Sequence, residues 1–273
     1  MSRRRPLIDA RGTTTHLQIA EQTRAICERH PDDVSAIVHE LAGTAVPSIP
    51  GAQYASITVV RRRGQLQTTG DAGAYPTLLH IAQIRHRQGP CVDAARSRSV
   101  VHADDLTSDR RWPLYRRDAV EMTPIRSLLA VPLISDQLML GLLNLFADQP
   151  GAFSTDAVDI ARFYAIQAAL AWATARTKEQ FRRALGSRDV IGQAKGILME
   201  RYDVTADDAF ALLKRLSEES KIPVAEVSRR MASKQHGPHT VAPAHTTAGS
   251  PRLAHLGRDI AERRQMIRDA TRC

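Results

Sequence analysis

No proline occurs between Pro150 and Pro223, and apolar side chains recur in the first half of this stretch at spacings of three and four. That period places them on one face of a helix, and Ser154 is of a type that caps a helix N-terminus. The pattern predicts one long helix from Ser154 to Leu185, with an interruption at Gly186-Ser187. This helix would connect two parts of the chain that differ in pattern.

Residues 180–235 contain three helical segments, divided at Asp203-Val204 and Lys221-Ile222. The first segment has a stripe that we expect to form a core: Ala184, Ser187, Ile191, Ala194 and Leu198. A second line, whose members each follow a stripe residue and are therefore rotated by about 100° from it, consists of Arg188, Gly192, Lys195 and Met199. A cation one turn from a glycine would give this line an open, positive surface.

The second and third segments begin with residues suited to helix starts. Thr205 can cap the second segment, in which Ala209, Phe210 and Leu213 are expected to face inward. Pro223 is favourable at the first position of the third segment. Three such short helices can share one small core.

The chain before the long helix has the pattern of a mixed domain. Residues 16–45 predict helices broken near Pro31. Residues 54–71 alternate, are rich in β-branched side chains and contain a turn-forming glycine, which predicts an antiparallel hairpin. A helix is expected over about 74–87.

Two mostly apolar runs complete this domain. Residues 126–135 and 138–148 are separated by a short turn at Asp136-Gln137 and are typical of central strands of one sheet. The preceding stretch, residues 99–117, is polar and is expected to form a loop.

The charge of the chain is compatible with a nucleic-acid partner. Lys and Arg number 38 against 29 Asp and Glu, a formal net charge of +9, which favours phosphate binding. Residues 1–179, 180–235 and 236–273 each carry an excess of three basic residues, so no region is a basic tail. Charge alone therefore does not select the partner.

Other sequence features bound the class of protein. Cys27, Cys91 and Cys273 lie far apart without metal-ligand or redox spacing, which predicts no metal site and favours a reducing cytoplasm. The sequence contains neither a signal peptide nor about 18 consecutive apolar residues, so we expect a soluble cytoplasmic protein. No nucleophile paired with a base, phosphate-binding glycine loop or metal motif is visible. Catalysis is not expected, and no cofactor is identified.

The first part of the chain resembles the GAF domain. The resemblance is carried by GPCVDAARSRSVVHADDLTSDRRWP over 89–113, by IRSLLAVPLI, and by LGLLNLFADQPGAFSTDAVDIARFYAIQAALA from residue 140. It implies a central antiparallel sheet, helices on one side, and a pocket for an unidentified small molecule under the polar loop on the other side.

Six residues are candidates for lining that pocket, since binding pockets are largely apolar with a few polar groups: Cys91, His102, Asp104, Trp112, Tyr115 and Leu129. Each has a simpler interpretation as a packing residue, above all Cys91 after Gly-Pro and Trp112 before Pro113. A GAF-like domain that serves only as a dimerisation platform is the alternative to a sensor.

The second part resembles the ANTAR domain, an RNA-binding antiterminator module of bacterial regulators. IGQAKGILM over 191–199 is followed by Thr205, Ala209-Phe210 and Leu213, and then by Arg229-Arg230-Met231. The resemblance implies that paired modules hold two stem-loops in a leader RNA and so prevent a terminator hairpin.

The residues expected to contact RNA are mostly basic, because cations position phosphates while bases are read by hydrogen bonds or stacking. They are Arg188, Gln193, Lys195 and Gly196, with Arg229 and Arg230 in support. Tyr202 is the stacking candidate, with a lid over the small core as its alternative role. Solvated charges on a helix surface remain the alternative for the cations.

These patterns together predict an α+β fold: a GAF-like antiparallel sheet with helices, followed by an all-α three-helix ANTAR module linked by a long helix. The expected domains are a disordered lead-in over 1–15, a sensor over 16–176, an RNA-binding domain over 177–235, and a flexible tail over 236–273 with a short helix. The expected function is signal-responsive transcription antitermination by a homodimer. The alternative is a DNA-binding transcription regulator.

Overall fold

The computed structural model describes residues 10–61 and 65–233 of the 273-residue chain. The chain divides into two compact units, residues 1–180 and 181–273. The division lies four residues after the expected boundary at 176. The predicted C-terminal tail and its short helix, and residues 1–9 of the predicted lead-in, lie outside the described residues.

The first unit contains helices and strands in mixed order, which confirms the predicted α+β class. Its elements are α1 (Ala10–Arg29), α2 (Val34–Ser48), β1 (Tyr54–Val60), β2 (Leu66–Ala72), α3 (Pro76–His86), α4 (Pro90–Ser97), β3 (Val101–Ala103), α5 (Pro113–Met122), β4 (Ser127–Ser135), β5 (Leu138–Ala147) and the first part of α6 (Thr155–Tyr202). None of the helices in the described residues is long and apolar enough to span a membrane.

The sheet has five strands in the order β2-β1-β5-β4-β3, and every neighbouring pair is antiparallel. The predicted hairpin, β1 with β2, and the predicted central strands, β4 and β5, are therefore confirmed. Asp136 and Gln137 join β4 to β5 with φ angles of 47° and 65°. Two consecutive positive φ angles match the twist of the paired strands.

Side chains on the two faces of this sheet enter two separate cores, because successive residues of a strand point to opposite faces. Along β4, Leu129 and Val131 join a core built with α1, α2 and α6. Leu128 and Ala130 join the other core, built with α3, α4 and α5. Helices thus cover both faces, whereas the family resemblance implied helices on one side only.

The missing helices account for that error. The sequence patterns did not predict helices α4 and α5 or the short strand β3; β3 and the start of α5 lie in the stretch 99–117 that was expected to form a loop. Pro90 stands at the first position of α4, and Pro113 stands at the first position of α5. A proline is well tolerated there, since its missing N–H has no partner in the first turn.

Two boundaries also differ from expectation. Helix α1 begins at Ala10, so residues 10–15 of the predicted lead-in are helical. Helix α6 runs through Gly186-Ser187 without the predicted interruption. Once a helix is nucleated, each further residue adds a hydrogen bond, which outweighs the cost of about 1 kcal/mol for one glycine.

The second unit contains the end of α6, then α7 (Ala206–Ser220) and α8 (Val224–Ser233). These are the three predicted segments. Thr205 caps α7 by accepting a hydrogen bond from the backbone N–H of Asp208 at 3.3 Å. The fully buried core is small and consists of Ala194, Leu198, Ala209 and Leu213.

Candidate functional sites

The basic line predicted on the first segment lies on α6 within the second unit. Arg188 is exposed and makes no ion pair with a described residue. Lys195 is half-buried, and its Nζ lies 5.9 Å from the centre of the Phe210 ring. Both cations are therefore available to an anionic ligand without loss of a carboxylate partner.

Gly192 belongs to this line, Gly196 directly follows Lys195, and both glycines are exposed. A Cβ atom built on either glycine would meet no described atom within 4 Å. Packing within the described chain therefore does not require a glycine at either position. Each nevertheless costs about 1 kcal/mol relative to alanine in a helix interior.

Gln193 points in another direction from Lys195. The two residues are two positions apart on α6, which places their side chains about 160° apart around the helix axis. Gln193 is exposed. The structure therefore does not bring Gln193 and Lys195 to one spot, although Gly196 lies between them around the helix.

Arg229 and Arg230 share a single carboxylate on α8. Arg229 donates to Oε2 of Glu226, and Nε of Arg230 donates to Oε1 of Glu226 at 3.0 Å. Hydrogen bonds from Arg230 and then Arg229 hold the pKa of Glu226 below its usual value. The two arginines together thus carry one uncompensated charge, fewer than the sequence alone indicated.

Two aromatic side chains of the second unit differ in how they pack. Tyr202 is half-buried and packs against the small core, as the lid interpretation expects. Phe210, expected to face inward, is 37% exposed and lies outside the core cluster. The inward positions of α7 are taken by Ala209 and Leu213, and Phe210 is displaced from Ala209 by one helix position, about 100° around the axis.

In the first unit, three of the six predicted pocket residues meet in one core. Cys91, Trp112 and Tyr115 are fully buried in the layer formed by α3, α4 and α5. The Trp112 indole donates to Asp93 at 2.7 Å, and its ring lies edge-on to Tyr115 at 6.4 Å. These contacts fit the packing interpretation of Trp112.

Cys91 is held by buried polar neighbours. Its thiol donates to the Asn144 carbonyl at 2.9 Å, and the Gln83 amide donates to its sulfur at 3.1 Å. Burial raises the pKa of the thiol to about 12. The thiol is consequently protonated and unreactive at neutral pH.

Two buried polar atoms of this layer lack a hydrogen-bond partner among the described residues, the Tyr115 hydroxyl and Nδ1 of His80. Burial, followed by the nearby Cys91, raises the pKa of the Tyr115 phenol. A buried hydroxyl without a partner costs about 1–3 kcal/mol. A small polar molecule that accepted its hydrogen bond would recover that free energy.

The other predicted pocket residues lie elsewhere. His102 pairs across strands with Leu129, and such partners share one face of a sheet. That face belongs to the opposite core, where Leu129 is buried and the His102 ring lies 6.1 Å from Phe153. His102 Nε2 lies 3.1 Å from the exposed carboxylate of Asp104 without hydrogen-bond geometry.

Sequence reasoning missed the polar residues that surround Cys91. Asn144 is buried and donates to Ser56 at 3.3 Å and to Thr58 at 3.1 Å, while Gln83 accepts from the backbone N–H of Cys91 at 2.8 Å. The available signal was a lone asparagine within the apolar run LGLLNLFA. An amide in a central strand needs buried hydrogen-bond partners.

Two open grooves of the first unit lie away from this layer. One has a volume of about 750 Å³ and is lined by α1, the end of α2 and Ile160 of α6. The other, of about 420 Å³, is lined by residues that include Arg98, Val131 and Arg162. None of the six predicted pocket residues lines either groove. No group of three potential metal ligands occurs in the described part of the chain.

Comparisons with known proteins match both parts of the chain. A family model for the GAF domain matches residues 31–173, and one for the ANTAR domain matches residues 179–231. No curated protein matches the chain significantly.

Solved structures similar to the chain include two GAF domains and a reductase. The GAF domain of an Acinetobacter phosphoenolpyruvate-protein phosphotransferase is 14% identical, with a TM-score of 0.48, over 63% of this chain and 99% of that one. Free methionine-R-sulfoxide reductase from Neisseria meningitidis is 15% identical, with a TM-score of 0.48, over 65% and 99%. The GAF domain of a Coxiella burnetii phosphotransferase is 15% identical, with a TM-score of 0.44, over 60% and 97%.

Proposed function

We propose a function for this chain, which belongs to the GAF domain family and also contains an ANTAR domain. The chain holds stem-loops of a leader RNA under the control of a small molecule. The two domains make the chain an RNA-binding antitermination regulator with a sensor domain. The leader target, the ligand control and the pairing of two chains are the proposed parts.

One observation carries the RNA proposal most directly. On α6, Arg188 and Lys195 lack carboxylate partners among the described residues, and Gly192 and Gly196 leave the helix surface beside them open. Cations position phosphates, and a surface without side chains lets a backbone or base approach closely. Arg229 and Arg230 would support phosphate binding after exchanging Glu226 for a phosphate.

The buried layer around Cys91 supports a ligand-controlled input. Tyr115 offers an unpartnered hydroxyl there, and Asn144 and Gln83 add amide groups. We infer a small polar ligand, which would stabilise whichever conformation of the first unit admits it. A ligand shifts such an equilibrium by its difference in affinity for the two conformations.

Exposed apolar side chains on α6 support pairing of two chains. Ile166 and Leu170 in the first unit and Phe181 in the second are 61%, 57% and 64% exposed. Large apolar side chains on one long helix gain free energy when a second copy covers them. Two paired chains would present two ANTAR modules to two stem-loops.

The test is recovery of RNA from cells that express the full chain. RNA cross-linked to the wild type, to Lys195→Gln and to Lys221→Gln is purified and sequenced. Lys221 is an exposed lysine at the end of α7, so it matches the charge change at a different position. We expect the wild type and Lys221→Gln to recover the same leaders, and Lys195→Gln to lose them.

Binding of a recovered leader is then measured against salt concentration, with duplex DNA as competitor. We expect the Lys195→Gln slope to fall by about 0.7, as for one lost phosphate contact, and sedimentation to give two chains per leader. Equal recovery by all three proteins would remove Lys195 from the site. Displacement of the leader by duplex DNA would favour the DNA-binding alternative.

A further inference from the structure

Phe210 is an aromatic side chain on the surface of the second unit that its core does not use. It lies in the first turns of α7, is 37% exposed, and is absent from the cluster formed by Ala194, Leu198, Ala209 and Leu213. A single exposed apolar residue is common on protein surfaces. The neighbours of Phe210 are what distinguish it.

Two lysines from different helices approach the Phe210 ring. Nζ of Lys195 in α6 lies 5.9 Å from the ring centre, and Nζ of Lys214 in α7 lies 5.8 Å from it. Neither lysine forms an ion pair with a carboxylate in the described part of the chain. The surface therefore combines one flat apolar ring with two cations that are not neutralised.

A nucleotide matches this combination in both of its parts. An unpaired base offers a π face that stacks on an aromatic ring, and its phosphates attract lysines. A phosphate alone would make no use of the ring, and a neutral apolar ligand would make no use of two cations.

We infer that Phe210, flanked by Lys195 and Lys214, is a stacking platform for one unpaired base of the bound RNA. This inference rests on the proposed function and assigns to Phe210 the role that the sequence had given to Tyr202. When the base stacks, the lysines leave the ring for the adjacent phosphates. Each lysine gives up a cation–π contact that is weak at an exposed site.

A purely structural role makes a different prediction. The aliphatic stems of the two lysines could pack on Phe210 and stabilise the fold. In that case substitution of Phe210 would change the stability of the second unit and would not change RNA affinity in the folded protein. Stability and affinity are therefore measured on the same variants.

The experiment compares the full-length wild type with Phe210→Leu, Phe210→Trp and Lys214→Gln, using a leader RNA recovered with the wild type. Single loop positions of this RNA carry 2-aminopurine, whose fluorescence is quenched by stacking. We expect Phe210→Leu to bind about 10- to 100-fold more weakly, the range for one lost stack, with an unchanged salt slope and Tm. Phe210→Trp should retain affinity and quenching, and Lys214→Gln should lower the salt slope.

An abasic nucleotide at the loop position whose fluorescence responds removes the base itself, and combining it with Phe210→Leu gives a double-mutant cycle. It should weaken binding to the wild type and leave binding to Phe210→Leu unchanged, a result that does not depend on small changes in stability. Equal losses in both proteins, or wild-type affinity in Phe210→Leu, would overturn the platform while leaving RNA binding intact. Recovery of no leader by the wild type would instead overturn the proposed function and the platform with it.

Discussion

The two units of this chain differ in how much interior supports their surfaces. In the first unit, one face of the sheet alone buries twenty-six apolar residues among those described. Among its described residues, 181–233, the second unit buries four apolar residues in its core cluster. A large interior can hold unsatisfied polar groups such as the Tyr115 hydroxyl, whereas a small one makes every buried side chain critical. We therefore expect the first unit to be the robust sensor and the second to be marginally stable.

The strongest test of this difference is a matched pair of core substitutions. Leu213→Ala in the second unit and Leu145→Ala in the first remove the same atoms from fully buried positions. Each should cost about 2–5 kcal/mol. Leu213→Ala should unfold the second unit and abolish RNA binding, because four buried residues cannot compensate for the loss. Leu145→Ala should leave the first unit folded but less stable.

The two tryptophans allow the units to be followed separately. Trp112 and Trp172 both lie in the first unit, so their fluorescence reports on it alone, while far-ultraviolet circular dichroism reports on all the helices. In urea, Leu213→Ala should lose part of its dichroism well before the fluorescence changes. If both signals changed at the same urea concentration in Leu213→Ala, the two units would unfold as one. The expected difference in stability between the units would then be wrong.

Glycine substitutions in the second unit should have a smaller effect, and they should change stability and RNA binding in opposite directions. Gly192→Ala and Gly196→Ala should each stabilise the free protein by about 1 kcal/mol, because a Cβ atom meets nothing at either site. Both should weaken RNA binding if RNA approaches the helix there. Urea midpoints and leader affinities measured on the same preparations test this pair of opposite effects.

Gly186→Ala provides the control for these two substitutions. Gly186 lies in the same helix and its Cβ position is equally open, but it is not among the residues proposed to contact RNA. It should give the stability gain without the loss of affinity. If all three alanine variants bound RNA like the wild type, close approach of RNA would not explain Gly192 and Gly196.

Much of this architecture was predictable from local patterns. Alternation predicted the hairpin and the central strands, and spacing predicted three helical segments over 180–235. The GAF and ANTAR resemblances were confirmed by the family matches. The errors arose where one residue type serves two structures: Pro90 and Pro113 open helices as readily as turns, and a single glycine at 186 does not end a helix with favourable neighbours.

The site was less predictable, because it depends on which face a side chain occupies. Leu129 is apolar, as a pocket residue should be, but it lies on the opposite face of the sheet from Cys91. Its neighbour Leu128 is the residue that faces the predicted side. Phe210 was assigned to the core because apolar residues cluster there, yet Ala209 occupies that position. The partnership of Glu226 with both Arg229 and Arg230 depends on rotamers, which spacing alone does not fix.

The smallest expected effect concerns two carboxylates, Glu40 and Glu226, that each have two basic side chains as partners. Glu40 accepts from Arg29 and lies 2.7 Å from His30, so it joins α2 to the end of α1. Within residues 10–61 and 65–233, Glu226 binds only arginines of its own helix. Hydrogen bonds hold the pKa of each carboxyl below 4.5, from Arg29 first at Glu40 and from Arg230 first at Glu226.

A carboxylate with a lowered pKa stabilises the fold above its unfolded pKa, and this stabilisation is lost as pH falls through its folded pKa. Glu40→Gln should therefore lower the Tm at pH 7, with a difference from wild type that shrinks below pH 4.5. Glu226→Gln should change the Tm less, because its pairs lie within one exposed helix. It should instead tighten RNA binding at low salt, since Arg229 and Arg230 would face phosphates without a competing carboxylate. Weaker RNA binding by Glu226→Gln would mean that Glu226 positions these arginines rather than neutralising them.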